Sequence, residues 1–160
     1  ITKFNIMPTI DQIKSLRETT QASLGDISSA LKEANGDEKK ALEILKSKGA
    51  IKAAKKSERE VKSGLIDCYI HINKIGTMVE VNCETDFVAK NQEFKNFVHN
   101  IAMQISSMMP DSVEELLEQE YIKDNSMTIK QLLESIIAKT GENIKIARFS
   151  RYELGGITRK

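Results

Sequence analysis

No stretch of about 18 consecutive apolar residues occurs in this chain, so no segment has the composition of a membrane-spanning helix. The opening residues, ITKFNIMPTI, lack the long apolar centre of a secretion signal. Position 1 is Ile rather than Met, which fits a processed or trimmed product. Neither sign of charge is in excess, with 24 basic and 23 acidic residues. Whole-chain charge therefore gives no reason to invoke nucleic acid or a membrane surface. There is no phosphate-binding Gly-rich loop and no Gly-x-Gly-x-x-Gly. The two histidines, His71 and His99, are not spaced with carboxylates or cysteines as metal ligands would be. No serine sits in a nucleophile elbow and no Cys–His pair has local support. These gaps argue against an enzyme, a resident metal and a cofactor. Cysteine is scarce as well: Cys68 and Cys83 both fall in apolar strand patterns and read as small core residues, with a hairpin disulfide as the other reading.

What is present is periodic. Residues 9–56 read as helical. Thr9 can cap a first helix with Ile10, Ile13 and Leu16 on one side. Asp26 can cap a second, with Ile27, Ala30, Leu31 and Ala34 inward. Asn35-Gly36-Asp37 then breaks and restarts the chain. A third helix places Ala41, Leu42 and Leu45 inward, and Gly49 is expected to end or bend it. Residues 52–62 hold five basic residues against two acids and few large apolar groups. They read as a helical tail or linker with a solvated face.

The period then changes. Ile66, Cys68, Ile70 and Ile72 alternate with Asp67, Tyr69, His71 and Asn73, the pattern of a half-buried antiparallel strand with the apolar set inward. His71 on the polar face reads as a surface imidazole. A turn is expected at Lys74-Ile75-Gly76, and Val79, Val81 and Cys83 alternate back to complete a hairpin. From Asn91 the helical rule returns with Phe94, Phe97, Val98, Ile101, Ala102, Ile105 and Met108, closed by Pro110. An acidic segment follows, and Asn125-Ser126 reads as loop. Thr128 can cap a further helix carrying Ile129, Leu132, Leu133, Ile136 and Ile137, ended by Gly141. Residues 144–149 read as a third strand. The fold class is α+β: a three-helix bundle over residues 1–56, then a two-layer core over 57–160, in which a three-stranded antiparallel sheet carries helices on one face.

One stretch does not fit this account. VNCETDFVAKN, from Val81 to Asn91, begins as a buried strand and ends as a helix, yet the turn between them carries Phe87 beside Asp86. From the residues alone, Phe87 could fold inward as a plug while Asp86 caps the following helix. In its context TDFVAKN resembles the signature of elongation factor Ts, the family that exchanges guanine nucleotide on elongation factor Tu. LRETT from Leu16, ALKEANGD from Ala30, GAIKAAKK from Gly49 and KTGENIKI from Lys139 resemble that family in the same order.

The resemblance implies a ubiquitin-associated-like docking bundle and one half of the family's core. It implies that Thr85, Asp86, Phe87 and Val88 form a probe into elongation factor Tu, in its GDP-bound and nucleotide-free states. There the ring displaces the groups holding the partner's Mg2+. Thr140 and Gly141 match the segment that approaches the phosphate loop, with Thr140 where the family usually has a branched apolar residue. Ile27, Ser28 and Ser29 replace a Cys-Lys-Lys of the family, so a lysine contact to the partner does not carry over to Ser28. Long members continue into a second core half. Short members pair two halves as a homodimer, and a core homodimer is expected here. No direct contact with nucleic acid or membrane is implied. The implied setting is the bacterial cytoplasm, or a mitochondrion or plastid. The competing expectation is a structural or ribosome-associated descendant of the family that no longer exchanges nucleotide.

Overall fold

The computed structural model describes residues 8–20 and 22–156. The opening Ile1 and the outer ends of the two units read from the sequence lie outside these. The bundle consists of α1 (Ile10–Thr20), α2 (Leu24–Glu33) and α3 (Glu38–Lys56). Thr9 caps α1 as expected, accepting from the Gln12 N–H at 3.3 Å. The cap of α2 is Ser23 rather than Asp26. Asp26 sits one turn in, takes the Ser23 hydroxyl at 2.6 Å, and pairs with Lys52 of α3 at 2.8 Å. The Lys52 ammonium, and after it the Ser23 hydroxyl, holds the Asp26 carboxyl below the usual carboxylate range. Leu16, Ile27, Ala30, Leu31, Ala34, Ala41 and Leu45 form the bundle core. Ile10, expected inward, is exposed.

Asp37 caps α3, and Asn35 and Gly36 make the connection with positive φ, as their short or absent side chains allow. The helix does not end at Gly49. It runs on through the basic stretch to Lys56, and Ala53 joins the second hydrophobic core. That half of α3 lies against α7 (Ile129–Thr140).

The second unit is built on a three-stranded antiparallel sheet, in the order β1 (Ser63–His71), β2 (Ile75–Cys83), β5 (Ile144–Glu153). The third strand is four residues longer than the periodicity suggested, because β2 continues to pair with it down to Ile75↔Glu153. One face is covered by α5 (Gln92–Met108), whose stripe Phe94, Phe97, Val98, Ile101, Ala102 and Ile105 is buried throughout. Met108, expected in that stripe, is exposed. The helix closes on Met109 in the left-handed region, one residue before Pro110. The acidic segment forms α6 (Val113–Glu118), and the expected loop at Asn125-Ser126 belongs to β4 (Asp124–Thr128), paired with β3 (Glu120–Tyr121) as a small ribbon. Buried Gln104 fixes this ribbon, accepting from the Ile122 N–H and donating to the Glu120 carbonyl, both at 2.9 Å. Thr128 and Gln131 cap α7 reciprocally, and Gly141 ends it with φ 78°.

The main correction concerns β1. The chain reverses at Ile72-Asn73, both with positive φ, closed by the Lys74 N–H on the His71 carbonyl at 2.9 Å. This places Leu65 opposite Val81 and Asp67 opposite Val79, while Ile66 faces Glu80 and Cys68 faces Met78. Val79, Val81 and Cys83 are fully buried, so their partners Asp67, Leu65 and Ser63 share the covered face. The set expected to be inward, Ile66, Cys68, Ile70 and Ile72, is exposed. A strand's own alternation says that two faces differ. Its pairing decides which face is which. Cys68 is thus not a core residue, and it lies five pairs along the ladder from Cys83; both are free thiols. Among the described residues no helix is long and apolar enough to cross a membrane.

Candidate functional site

The strand β2 ends at Cys83, and α4 (Asp86–Lys90) begins three residues later. Thr85 is its cap: extended, with its hydroxyl accepting from the Val88 N–H at 3.4 Å. Asp86 opens the helix and accepts the Ser63 hydroxyl of β1 at 2.8 Å. An acid in the first turn also suits the positive end of the helix. Val88 and Ala89 are buried against the sheet layer. With that side of the short helix facing inward, Phe87 faces the other way and is 82% exposed. The inward plug is therefore excluded. Asp86 stands at the first helical position, and the cap is Thr85.

The Cys83 thiol donates to the Thr85 carbonyl at 3.2 Å, and burial pushes its pKa up. It is a packing group of the junction rather than a nucleophile.

The second predicted pair, Thr140 and Gly141, lies at the α7–β5 turn. Thr140 is turned back on its own helix, donating to the Ile136 carbonyl at 2.9 Å and accepting from the Glu142 N–H at 3.3 Å. Gly141 is exposed and takes the left-handed conformation that a side chain would strain. The next residue joins the two predicted sets. One oxygen of Glu142 accepts the backbone N–H groups of Glu84 and Thr85, both at 3.1 Å; the other accepts the Thr85 hydroxyl at 2.6 Å. Glu84 returns the contact, accepting the Asn143 N–H at 2.6 Å. Buried Asn143 donates onward to the carbonyls of Ser57 and Arg59, at 3.3 and 2.6 Å, just beyond α3. Arg59 lies 3.5 Å from Glu84. Three chain segments thus meet behind Phe87.

The sequence reading missed Ser63, Glu84, Glu142 and Asn143. The available signal was a carboxylate directly after a helix-ending glycine, in the same GEN segment that supplied Gly141. Its target, some 58 residues earlier, has no local signature.

A family model described as Elongation factor TS matches residues 84–159. Elongation factor Ts of Clostridium kluyveri (strain NBRC 12016) is 51% identical over 146 residues, covering 91% of this chain and 48% of that protein. Elongation factor Ts of Thermotoga maritima is 40% identical over 190 aligned positions, covering 91% of this chain and 96% of that protein. Elongation factor Ts of Thermoanaerobacter pseudethanolicus is 43% identical over 189, covering 89% and 93%. The chain spans about half the length of the Clostridium relative. The Thermotoga alignment is longer than the 160 residues of this chain, so that relative carries residues with no counterpart here.

Proposed function

The chain belongs to the elongation factor Ts family, and from that premise we propose that it is a guanine-nucleotide exchange factor acting on elongation factor Tu during translation elongation in the bacterial cytoplasm. The observation that carries this reading is the Phe87 ring, 82% exposed on a helix whose other side is buried. Exposing a large ring gives up burial worth roughly 1.5–3 kcal/mol. An aromatic anchor recovers such a loss when a partner's pocket covers it.

The mechanism is linkage. A factor that binds the nucleotide-free or distorted partner better than the GDP-bound one must weaken GDP, and GDP must weaken the factor equally. Thr85, Asp86, Phe87 and Val88 form the probe. Phe87 enters the partner's nucleotide domain and shifts the groups around its Mg2+, and the ion's charge is the largest local term holding the phosphates. The Gly141 turn lies alongside to approach the phosphate loop. No step requires a catalytic side chain; it requires a rigid platform. Residues 1–56 act as the docking unit, and 57–160 act as the core half that carries the probe.

Release of labelled GDP from elongation factor Tu tests the reading. Phe87→Ala is expected to keep its melting temperature and lose most of the acceleration. Unaltered release by this variant would sink the probe, and a wild-type chain that binds without accelerating release would favour the non-exchanging subunit.

The same reading covers the uncovered side of the sheet. Ile66, Cys68, Ile70, Met78 and Tyr152 stand there in neighbouring rows, with the charged pair Glu80–Arg148 in the row of Ile66. The proposed occupant is the same face of a second copy, since a twofold uses one surface twice and closes. Light scattering that finds only monomer at tens of micromolar would remove the dimer from the reading.

A further inference from the structure

We propose that Glu142 is the positioning residue of the Phe87 probe; the inference rests on the exchange reading above and assigns the aim of the ring to one carboxylate on another loop. Phe87 has almost no packing of its own, so only its backbone can direct it. That backbone belongs to a helix of five residues, too short to hold itself in water. Its inner side is fixed by Val88 and Ala89, which set its depth. They also choose which side of the helix faces inward, while the cap fixes where the helix begins and holds its first turn.

The cap hydroxyl of Thr85 has two jobs. It accepts the Val88 N–H, and it can do so in the observed direction because its own proton is given to Glu142 at 2.6 Å. The other oxygen of Glu142 takes the two N–H groups immediately before the helix, which no strand partner takes. A single carboxylate thus fixes the last two residues before the helix with three hydrogen bonds. It is held in turn by its neighbours: Asn143 is buried and anchored to the segment after α3, and Gly141 sets the sharp exit from α7. The partner is contacted on both sides of this clamp, by Phe87 and by the Gly141 turn. The same carboxylate therefore also fixes their separation.

The role separates from fold stability because the hydrophobic core lies under Val88 and Ala89, while Thr85 is exposed. Glu142→Ala removes all three bonds. Glu142→Gln keeps an oxygen for the N–H groups but offers an amide where the Thr85 hydroxyl needs an acceptor. GDP release from elongation factor Tu is followed against rising concentrations of the full chain, beside thermal melts and amide exchange at Glu84 and Thr85. For Glu142→Ala the maximal release rate is expected to fall about tenfold or more, as misplaced reacting groups do. Its half-saturating concentration and melting temperature should change little, protection at Glu84 and Thr85 should be lost, and Glu142→Gln should lie between the two. Should Glu142→Ala fail to fold, Glu142→Gln carries the same comparison.

An unchanged maximal rate, or a rate loss that only follows the loss of melting temperature, overturns the assignment if Phe87→Ala abolishes exchange in parallel. If Phe87→Ala exchanges normally, the Phe87 probe falls and the assignment falls with it; if the wild-type chain accelerates no release, it is the exchange reading that falls. Retained amide protection in Glu142→Ala overturns it whatever the rates.

Discussion

The two faces of the central sheet are made from the same three strands, yet they have opposite fates. The covered face presents Leu65, Val79, Val81, Cys83, Ile144 and Ile146 to α5 and its neighbours. The open face presents Ile66, Cys68, Ile70, Met78 and Tyr152 to solvent. On β1 the open side is the more apolar of the two, since Asp67 and Tyr69 share the covered side with Leu65. Asp67 is accommodated because the strand lies at the sheet edge, where its carboxylate reaches His99 of α5 at 2.9 Å. Apolar alternation therefore marks a face that some surface is to cover. It does not say that the same chain supplies the cover.

The largest test of this contrast removes the cover. Phe94 is fully buried in the helix that lies on the sheet. Phe94→Ala is expected to cost about 3–5 kcal/mol, since it combines lost transfer energy with a cavity. A urea titration checks this, and a loss below about 1 kcal/mol would mean that α5 does not hold the covered face.

The intermediate test charges the open face. Ile66→Lys with Ile70→Lys should alter the stability of the isolated monomer by about 1 kcal/mol or less, because both side chains are already in water. The same pair should abolish self-association in light scattering, since two like-charged faces cannot close on each other. A stable dimer in the double variant would move the second copy elsewhere.

The smallest effect comes from pH. On the open face Arg148 bonds Glu80 at 2.7 Å, and this guanidinium, before the Asn82 side chain, holds the Glu80 carboxyl below its ordinary range. A folded-state value lower than the unfolded one gives stability that is present above the unfolded pKa and is lost as pH falls through the depressed value. Arg148 is exposed and Glu80 only half-buried, so the contribution is small and screened by salt. Melting curves of Glu80→Gln and wild type should converge below that window and differ slightly above it. A difference that grows as pH falls would contradict the sign.

The same division runs through the candidate site. The stretch VNCETDFVAKN read as a buried strand running into the start of a helix, and TDFV marked where a partner contact was expected, though the cap is Thr85 rather than Asp86. Those features are local: a hydroxyl three residues before an N–H, or an apolar side chain every third or fourth position, is written within one turn of chain. The caps at Thr9, Asp37 and Thr128 and the stop at Gly141 were legible for the same reason. The outward direction of Phe87 was not, because it depends on Val88 and Ala89 finding the sheet layer and turning the helix about its axis. Nor was the clamp, in which Glu142 closes on residues some 58 positions away.

The sequence by itself determined the three bundle helices, the three strands of the main sheet and the two long core helices, and that a phenylalanine sits where a turn has no use for one. Tertiary structure alone decided the phase of β1, the outward aim of Phe87 and the meeting of two distant loops behind it. Helical and strand periods arise from bonds between near neighbours in the chain. Inside and outside are set by what a strand is paired with, and a strand's own two-residue alternation does not record its partner.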